Sequence, residues 1–143
     1  MPEVRRTFTV RQPVEKVHAY LRDFANAEQW DSGTKSCKQQ TPGEIGVGTE
    51  WANVSEFKGK ETELTYRLVE DNPGRLVFVG ENKTVTSTDT ITMRTGGEGT
   101  EIDYLADFDF HGLAALAVPF IKGSLDDLGD VTQQQMIETI NAL

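Results

Sequence analysis

Cysteine is nearly missing from this chain. Cys37 is the one thiol, so no internal disulfide can form, and a reducing setting, the cytoplasm, is expected. Histidine is almost as rare. His18 and His111 are the two, and neither shares a metal-ligand spacing with the other or with Cys37. Asp126, Asp127 and Asp130 crowd together without the alternating ligand positions and central glycine of a calcium loop. No metal and no cofactor is expected. No apolar run approaches the ~20 residues that cross a bilayer. The longest, Leu113 to Ile121, is interrupted by Pro119, so no integral membrane segment is expected. The first residues show no charged-then-apolar run ending in a cleavage site, which argues against a signal peptide. Basic residues are short too: 14 Lys and Arg face 23 Asp and Glu, a net charge of −9. Such a chain repels phosphate backbones, so nucleic acid is not an expected partner. Nucleophile signatures are absent. There is no Gly-x-Ser-x-Gly elbow, and Cys37 lacks a recognisable histidine partner and reads as a small buried hydrophobe. Gly43 to Gly48 is glycine-rich, but it leads into a strand and offers no lysine, so it is a turn or lid and not a phosphate cradle.

Strand patterns dominate what remains. At 143 residues the chain has the size of one domain, residues 1–143, and can bury roughly 70% of the surface its unfolded form exposes. Glu3 to Val10 alternates, with Val4, Phe8 and Val10 on one face and Arg6 as the exception there, which places Arg6 near an edge or rim. Pro13 is expected at the first turn of a helix whose buried stripe is Val14, Val17 and Leu21. A short helical piece from Phe24 ends at Trp30, and Asp31-Ser32-Gly33 breaks it. Strands are then expected over Thr34–Gln40, Thr49–Phe57, Glu61–Glu70, Arg75–Gly80, Thr84–Arg94 and Thr100–Phe110. Thr84 to Arg94 has a period of two: five threonines on one face, and Val85, Ser87, Asp89, Ile91 and Met93 on the other. Short loops between successive strands require an antiparallel meander.

The C-terminal stretch carries a different period. Leu125, Leu128, Met136, Ile140 and Leu143 recur at helical spacing, with Thr132 breaking the run. Pro119 and Gly123 are expected to interrupt the first part, and Ser124 with Asp127 resembles a capping box, which puts the helix start near Ser124. Gly129 costs that helix about 1 kcal/mol relative to alanine, so a break there, with Asp130 as a new cap, stays open.

Thr7-Phe8-Thr9-Val10-Arg11-Gln12-Pro13-Val14-Glu15-Lys16-Val17-His18-Ala19-Tyr20-Leu21-Arg22-Asp23-Phe24, followed by Trp30, and the entry Gly46-Val47-Gly48-Thr49-Glu50-Trp51, resemble the START-like (SRPBCC) superfamily, polyketide cyclase/dehydrase and lipid-transport branch. The resemblance implies an α+β helix-grip (START/Bet v 1-like) fold. In it a curved antiparallel sheet wraps a long C-terminal helix, with two short helices after the first strand. It also implies an apolar cavity that holds lipids, sterols, polyketides or hormones. No catalytic pattern carries over residue by residue.

Candidate pocket residues follow from parity and residue type. Trp30, Trp51, Phe57, Phe78, Phe108, Phe110 and Phe120 are aromatics that could line such a cavity, with Met136 and Ile140 from the helix; each fits a core equally well. Tyr66, Tyr104 and Asp89 fall on inward faces. A buried carboxylate without partners is costly, so Asp89 pairs, lines a wet cavity, or faces out past a bulge. Binding of a small hydrophobic ligand is the expected function, with Pro42–Gly48 and Gly112–Gly123 as the gate. A polyketide cyclase/dehydratase-like enzyme using cavity acid/base residues is the alternative, and a module that binds a protein partner is a third. Homodimer formation stays open.

Overall fold

The computed structural model describes residues 2–143. The order is β1 (Glu3–Val10), α1 (Val14–Arg22), a 3-10 turn (Phe24–Asn26), α2 (Ala27–Trp30), β2 (Thr34–Gln39), β3 (Glu50–Phe57), β4 (Lys60–Asn72), β5 (Arg75–Glu81), β6 (Val85–Gly96), β7 (Gly99–Phe110), a 3-10 segment (Gly112–Ala117) and α3 (Val118–Asn141). The strands form one antiparallel sheet in the order β1-β7-β6-β5-β4-β3-β2. β2 to β7 are a meander, because each connection is too short to cross over. β1 adds beside β7, with Glu3 opposite Asp107 and Val10 opposite Thr100. The sheet curves around α3, which packs on β1 and α2.

Register settles which residues face inward. β6 pairs with β7 without a slip from Val85 opposite Phe110 to Gly96 opposite Gly99. The β5–β6 register is equally unbroken. The bulges lie elsewhere, in β2 between Thr34 and Ser36 and in β4 between Leu68 and Glu70. Parity in β6 therefore holds, and Val85, Ser87, Asp89, Ile91 and Met93 are all buried. Asp89 does not swing outward.

Three expectations about helix ends are corrected. Pro13 is the N-cap of α1 and not its first turn. Its ψ of 153° keeps it extended while its carbonyl accepts from the Lys16 and Val17 amides at 3.0 and 3.1 Å. α3 begins at Val118, six residues before Ser124, because Pro119 sits within the first turn, where its missing N–H leaves no helical bond unmade. Ser124 and Asp127 lie inside the helix and cap nothing. The helix also runs unbroken through Gly123 and Gly129. Its buried stripe is Leu125, Gly129, Thr132, Met136 and Ile140. Gly129 and Thr132, which looked like interruptions, are its middle.

Arg6 explains why β1 tolerates a cation on its inner face. Its guanidinium donates to the Asp126 carboxylate and backbone carbonyl, each at 2.9 Å, and to Asp130 at 3.0 Å. The pairing ties the edge strand to α3 at the rim.

Candidate functional site

Between α3 and the inner face of the sheet lies a pocket of ≈ 420 Å³. The volume falls in the range typical of small-molecule sites. Its apolar wall includes Leu64, Val85, Ala106, Phe108, Leu125 and Leu128. The mouth is formed by the β3–β4 turn at Phe57 and Lys60, by Thr84, and by Ala114, Ala117 and Ile121. Of the two segments expected to form a gate, one lines the pocket. The segment from Gly112 reaches the mouth, whereas Pro42–Gly48 contributes no wall residue among those described. That loop is tied to the opposite end, where the Arg22 guanidinium donates to the Ile45 carbonyl.

Polar groups gather on the wall where β6 and β7 run past the loop after α2. Asp89 is 4% exposed. It accepts from the Ser87 hydroxyl through one oxygen and from the Tyr104 hydroxyl through the other, each at 3.3 Å. Burial, and next the charge of Asp31, push its pKa up to about 7, and the two hydroxyls offset only part of this. Asp31 also lines the pocket. It accepts from the Thr34 hydroxyl at 2.7 Å, the Gly33 amide at 3.3 Å and the Thr132 hydroxyl at 3.4 Å. Burial pushes its carboxyl above the usual range, against these donors. Burial and then the Asp89 charge hold the Tyr66 and Tyr104 phenols well above their ordinary value, so both stay protonated donors. The arrangement can hold or transfer one proton near neutrality and can anchor one polar group of an otherwise apolar guest.

A second depression of ≈ 340 Å³ lies over Arg5, Thr7, Thr92, Arg94, Glu101 and Asp103. Its charges already pair, Arg5 with Asp103 and Arg94 with Glu101, so they leave little to recruit a ligand. The Cys37 thiol is buried and pushed up to about 12, chiefly by desolvation, which makes it an inert core group. His18 is bound to Asp71 at 2.8 Å, next to Arg22 on the same carboxylate, and so pins α1 to the end of β4. No helix among the described residues is long and apolar enough to cross a membrane, and no metal-ligating cluster is found among them.

The sequence matches the family model described as polyketide cyclase / dehydrase and lipid transport over residues 1–131. The chain belongs to that family. Solved structures share its fold at low identity. TTHA0849 from Thermus thermophilus superposes with a TM-score of 0.81 at 17% identity, over 99% of this chain and 98% of that one. The di-domain ARO/CYC BexL from the BE-7585A biosynthetic pathway gives 0.69 at 12% identity, over 95% of this chain and 48% of that one. This chain thus spans about half of the BexL protein. Ara h 8.0201 gives 0.62 at 11% identity, over 95% and 97%. At such identities the likeness shows the fold, a START/Bet v 1-like helix grip. No curated protein matches the sequence.

Within this polyketide cyclase/dehydrase family chain, the sequence-derived candidates separate into three places. Phe57, Tyr66, Asp89 and Tyr104 are brought together on the pocket wall. Trp30, Trp51, Phe78, Met136 and Ile140 are fully buried in the core. For the three aromatics the reason is Phe24: its ring sits 4.4 Å from Phe78 and 4.5 Å from Tyr66, with Trp30 and Trp51 at 5.9 and 6.1 Å. This aromatic cluster fills one end of the sheet solidly and leaves the other end hollow. Phe120 is 80% exposed, so it is no wall residue; α3 turns Ile121 inward instead. Leu113 and Leu116 are likewise exposed beside the mouth. Sequence reasoning missed Asp31 and Thr132. Asp31 sat in a helix-breaking triplet, and nothing local distinguishes a turn aspartate from one folded against a pocket.

Gly80 supports the wall from behind. It lies opposite Tyr66 in the β4–β5 pair, and a Cβ there would come within 2.5 Å of the Tyr66 ring. Gly80→Ala is expected to lift the ring into the pocket and to destabilise the protein by about 1–3 kcal/mol. Urea unfolding measures the loss. An unchanged midpoint would show that the ring does not rest on the glycine.

Proposed function

We propose that residues 1–143 act as one unit that binds a small hydrophobic molecule in the pocket between the sheet and α3, in the cytoplasm. The observation that carries this reading is the pocket itself: a largely apolar wall whose buried polar groups include Asp89, Tyr104 and Asp31. Apolar ligand surface removed from water there contributes about 25 cal/mol per Å². The buried polar groups orient the guest. Phe57, Tyr66, Asp89 and Tyr104 are the proposed contacts, and the Gly112–Ala117 segment is the proposed gate. The family description, which includes lipid transport, agrees with this.

Native mass spectrometry of the gently purified protein tests the reading. A co-purified mass of lipid or polyketide size that is released on denaturation is the expected result. Ala106→Phe should exclude it, because Ala106 lies opposite Asp89 on the wall. Retention of the same mass in a folded Ala106→Phe variant would place the ligand elsewhere.

A cyclase- or dehydratase-like activity is the second reading. It is favoured by one observation, a carboxyl pushed up to about 7 within 3.3 Å of a phenol on a pocket wall. Asp89→Asn would then abolish turnover of an aromatic or polyketide-like substrate while leaving substrate binding measurable. Full turnover in that variant would remove the reading.

A further inference from the structure

The pocket is largely apolar but electrically one-sided around Asp89. Two carboxylates, Asp31 and Asp89, face it, with Glu56 nearer the mouth. Among the described wall residues the one cation is Lys60, which is exposed on the β3–β4 turn. The Arg6 guanidinium on the inner face of β1 is already engaged by Asp126 and Asp130. Asp89 is therefore more than nine-tenths buried, turned into a hollow, and without a cationic partner. Its two hydrogen bonds come from neutral hydroxyls at 3.3 Å, longer than the roughly 2.5–3.0 Å usual for such bonds. A carboxylate offers about four acceptor positions, so roughly half of its capacity is unused.

Such an arrangement is costly in the empty protein. A buried carboxylate is normally paired with a cation, and removal of a partner from a buried pair is strongly destabilising. Here none is found among the described residues. We infer that the missing partner comes with the ligand: the pocket selects hydrophobic molecules that carry a protonated amine, with the ammonium held by Asp89 and Asp31 and the apolar body laid along Leu64, Val85, Phe108 and Leu125. This rests on the reading of the pocket as a hydrophobic-ligand site and names its class of guest. A carboxylate-bearing guest would bring a third negative charge beside the same two carboxylates. A neutral alcohol would gain a hydrogen bond and no ion pair.

The groups that face Asp89 also set the pH dependence. Tyr104 and Ala106 come from β7, Phe78 from β5, Tyr66 from β4, Asp31 from the loop after α2, and Leu125, Gly129 and Thr132 from α3. Of these the one other carboxyl is Asp31, which burial also pushes above its usual range, and both tyrosine phenols are held well above their ordinary value. An ammonium needs the ionised carboxylate, so its binding releases the Asp89 proton at low pH. Affinity should fall roughly tenfold between pH 8 and pH 6, around the value of about 7 for Asp89.

The experiment uses the full chain and three matched probes, decylamine, decanol and decanoate, each measured by calorimetry at pH 8 and pH 6. At pH 8 decylamine is expected to bind at least roughly tenfold tighter than decanol, and decanoate more weakly than either. Asp89→Asn and Asp31→Asn should each bring decylamine toward decanol measured in the same variant, while adsorption to the surface charge of the rest of the acidic chain stays unchanged. Equal binding of amine and alcohol overturns the inference and leaves the hydrophobic-ligand reading standing. So does amine binding that both variants leave intact, since that is adsorption to the acidic surface. If none of the three probes binds, the hydrophobic-ligand reading fails, and the inference with it.

Discussion

Asp89→Asn is expected to stabilise the ligand-free protein at pH 8 and to flatten its stability between pH 4 and pH 7, where the Asp89 carboxyl, pushed up to about 7, would titrate in the folded state alone. An unfolded aspartate titrates at about 3.9. Between the two values the folded chain holds a proton that the unfolded chain has released. The contribution of this group is thus fully present below about pH 4 and is lost as pH rises through 7. Three pKa units correspond to roughly 4 kcal/mol, and the amide loses about 1 kcal/mol of hydrogen bonding to Ser87 or Tyr104, which leaves on the order of 3 kcal/mol. Urea midpoints for both proteins at pH 5 and pH 8 measure it. The comparison has to be the difference between them, because paired carboxylates such as Asp71 change stability in the opposite sense. Burial alone would raise Asp71, but Arg22 and His18 outweigh it and hold the carboxyl below the usual range. Parallel pH profiles for the two proteins would mean that Asp89 is well solvated.

Gly129→Leu is expected to cost roughly 3 kcal/mol or more, and Gly129→Ala to be destabilising in spite of the helix it sits in. Helix propensity favours alanine over glycine by about 1 kcal/mol. Against that, a Cβ at Gly129 would lie 2.3 Å from Val4 Cγ1 and 3.2 Å from the Arg6 guanidinium. Valine on a paired strand cannot step aside, so α3 must lift from β1 and loosen the bonds from Arg6 to Asp126 and Asp130. Overpacking of this kind costs about 1–3 kcal/mol, more than the propensity gain. Gly123 is the control. It lies in the same helix, is exposed, and a Cβ there meets nothing within 4 Å. Gly123→Ala should therefore stabilise by about 1 kcal/mol. Thermal unfolding of the two alanine variants should shift in opposite directions. Equal upward shifts would show that α3 does not bear on β1 at Gly129.

The two glycines also show why the helix was harder to read than the strands. A stripe defined by large apolar residues passes over Gly129 and Thr132, yet these are buried because they let the helix approach β1 and the loop after α2. Thr132 is placed by hydrogen bonding: its hydroxyl meets Ser32 at 2.8 Å and reaches Asp31. Close approach favours small residues, and no hydropathy pattern records that. Pro119 misled for a related reason. Its effect depends on whether it falls in the first turn or later, and only the true helix start decides between them.

Local alternation and short connections were enough to define the antiparallel meander and the inward parity of Asp89, Tyr66 and Tyr104, because a period of two forces alternate side chains to opposite faces whatever lies above the sheet; the place of β1 beside β7 came from the structure. Alternation could not say which end of the inner face is filled. That was decided by Phe24, which gathers Trp30, Trp51 and Phe78 around itself, and by α3, which spans the other end without occupying it. Nor could alternation bring Asp31 to the same pocket wall as Asp89, because residues 58 positions apart meet only when the chain closes on itself. Packing between distant segments is a property of the assembled molecule, and the pocket with its two hydrogen-bonded carboxylates exists only there.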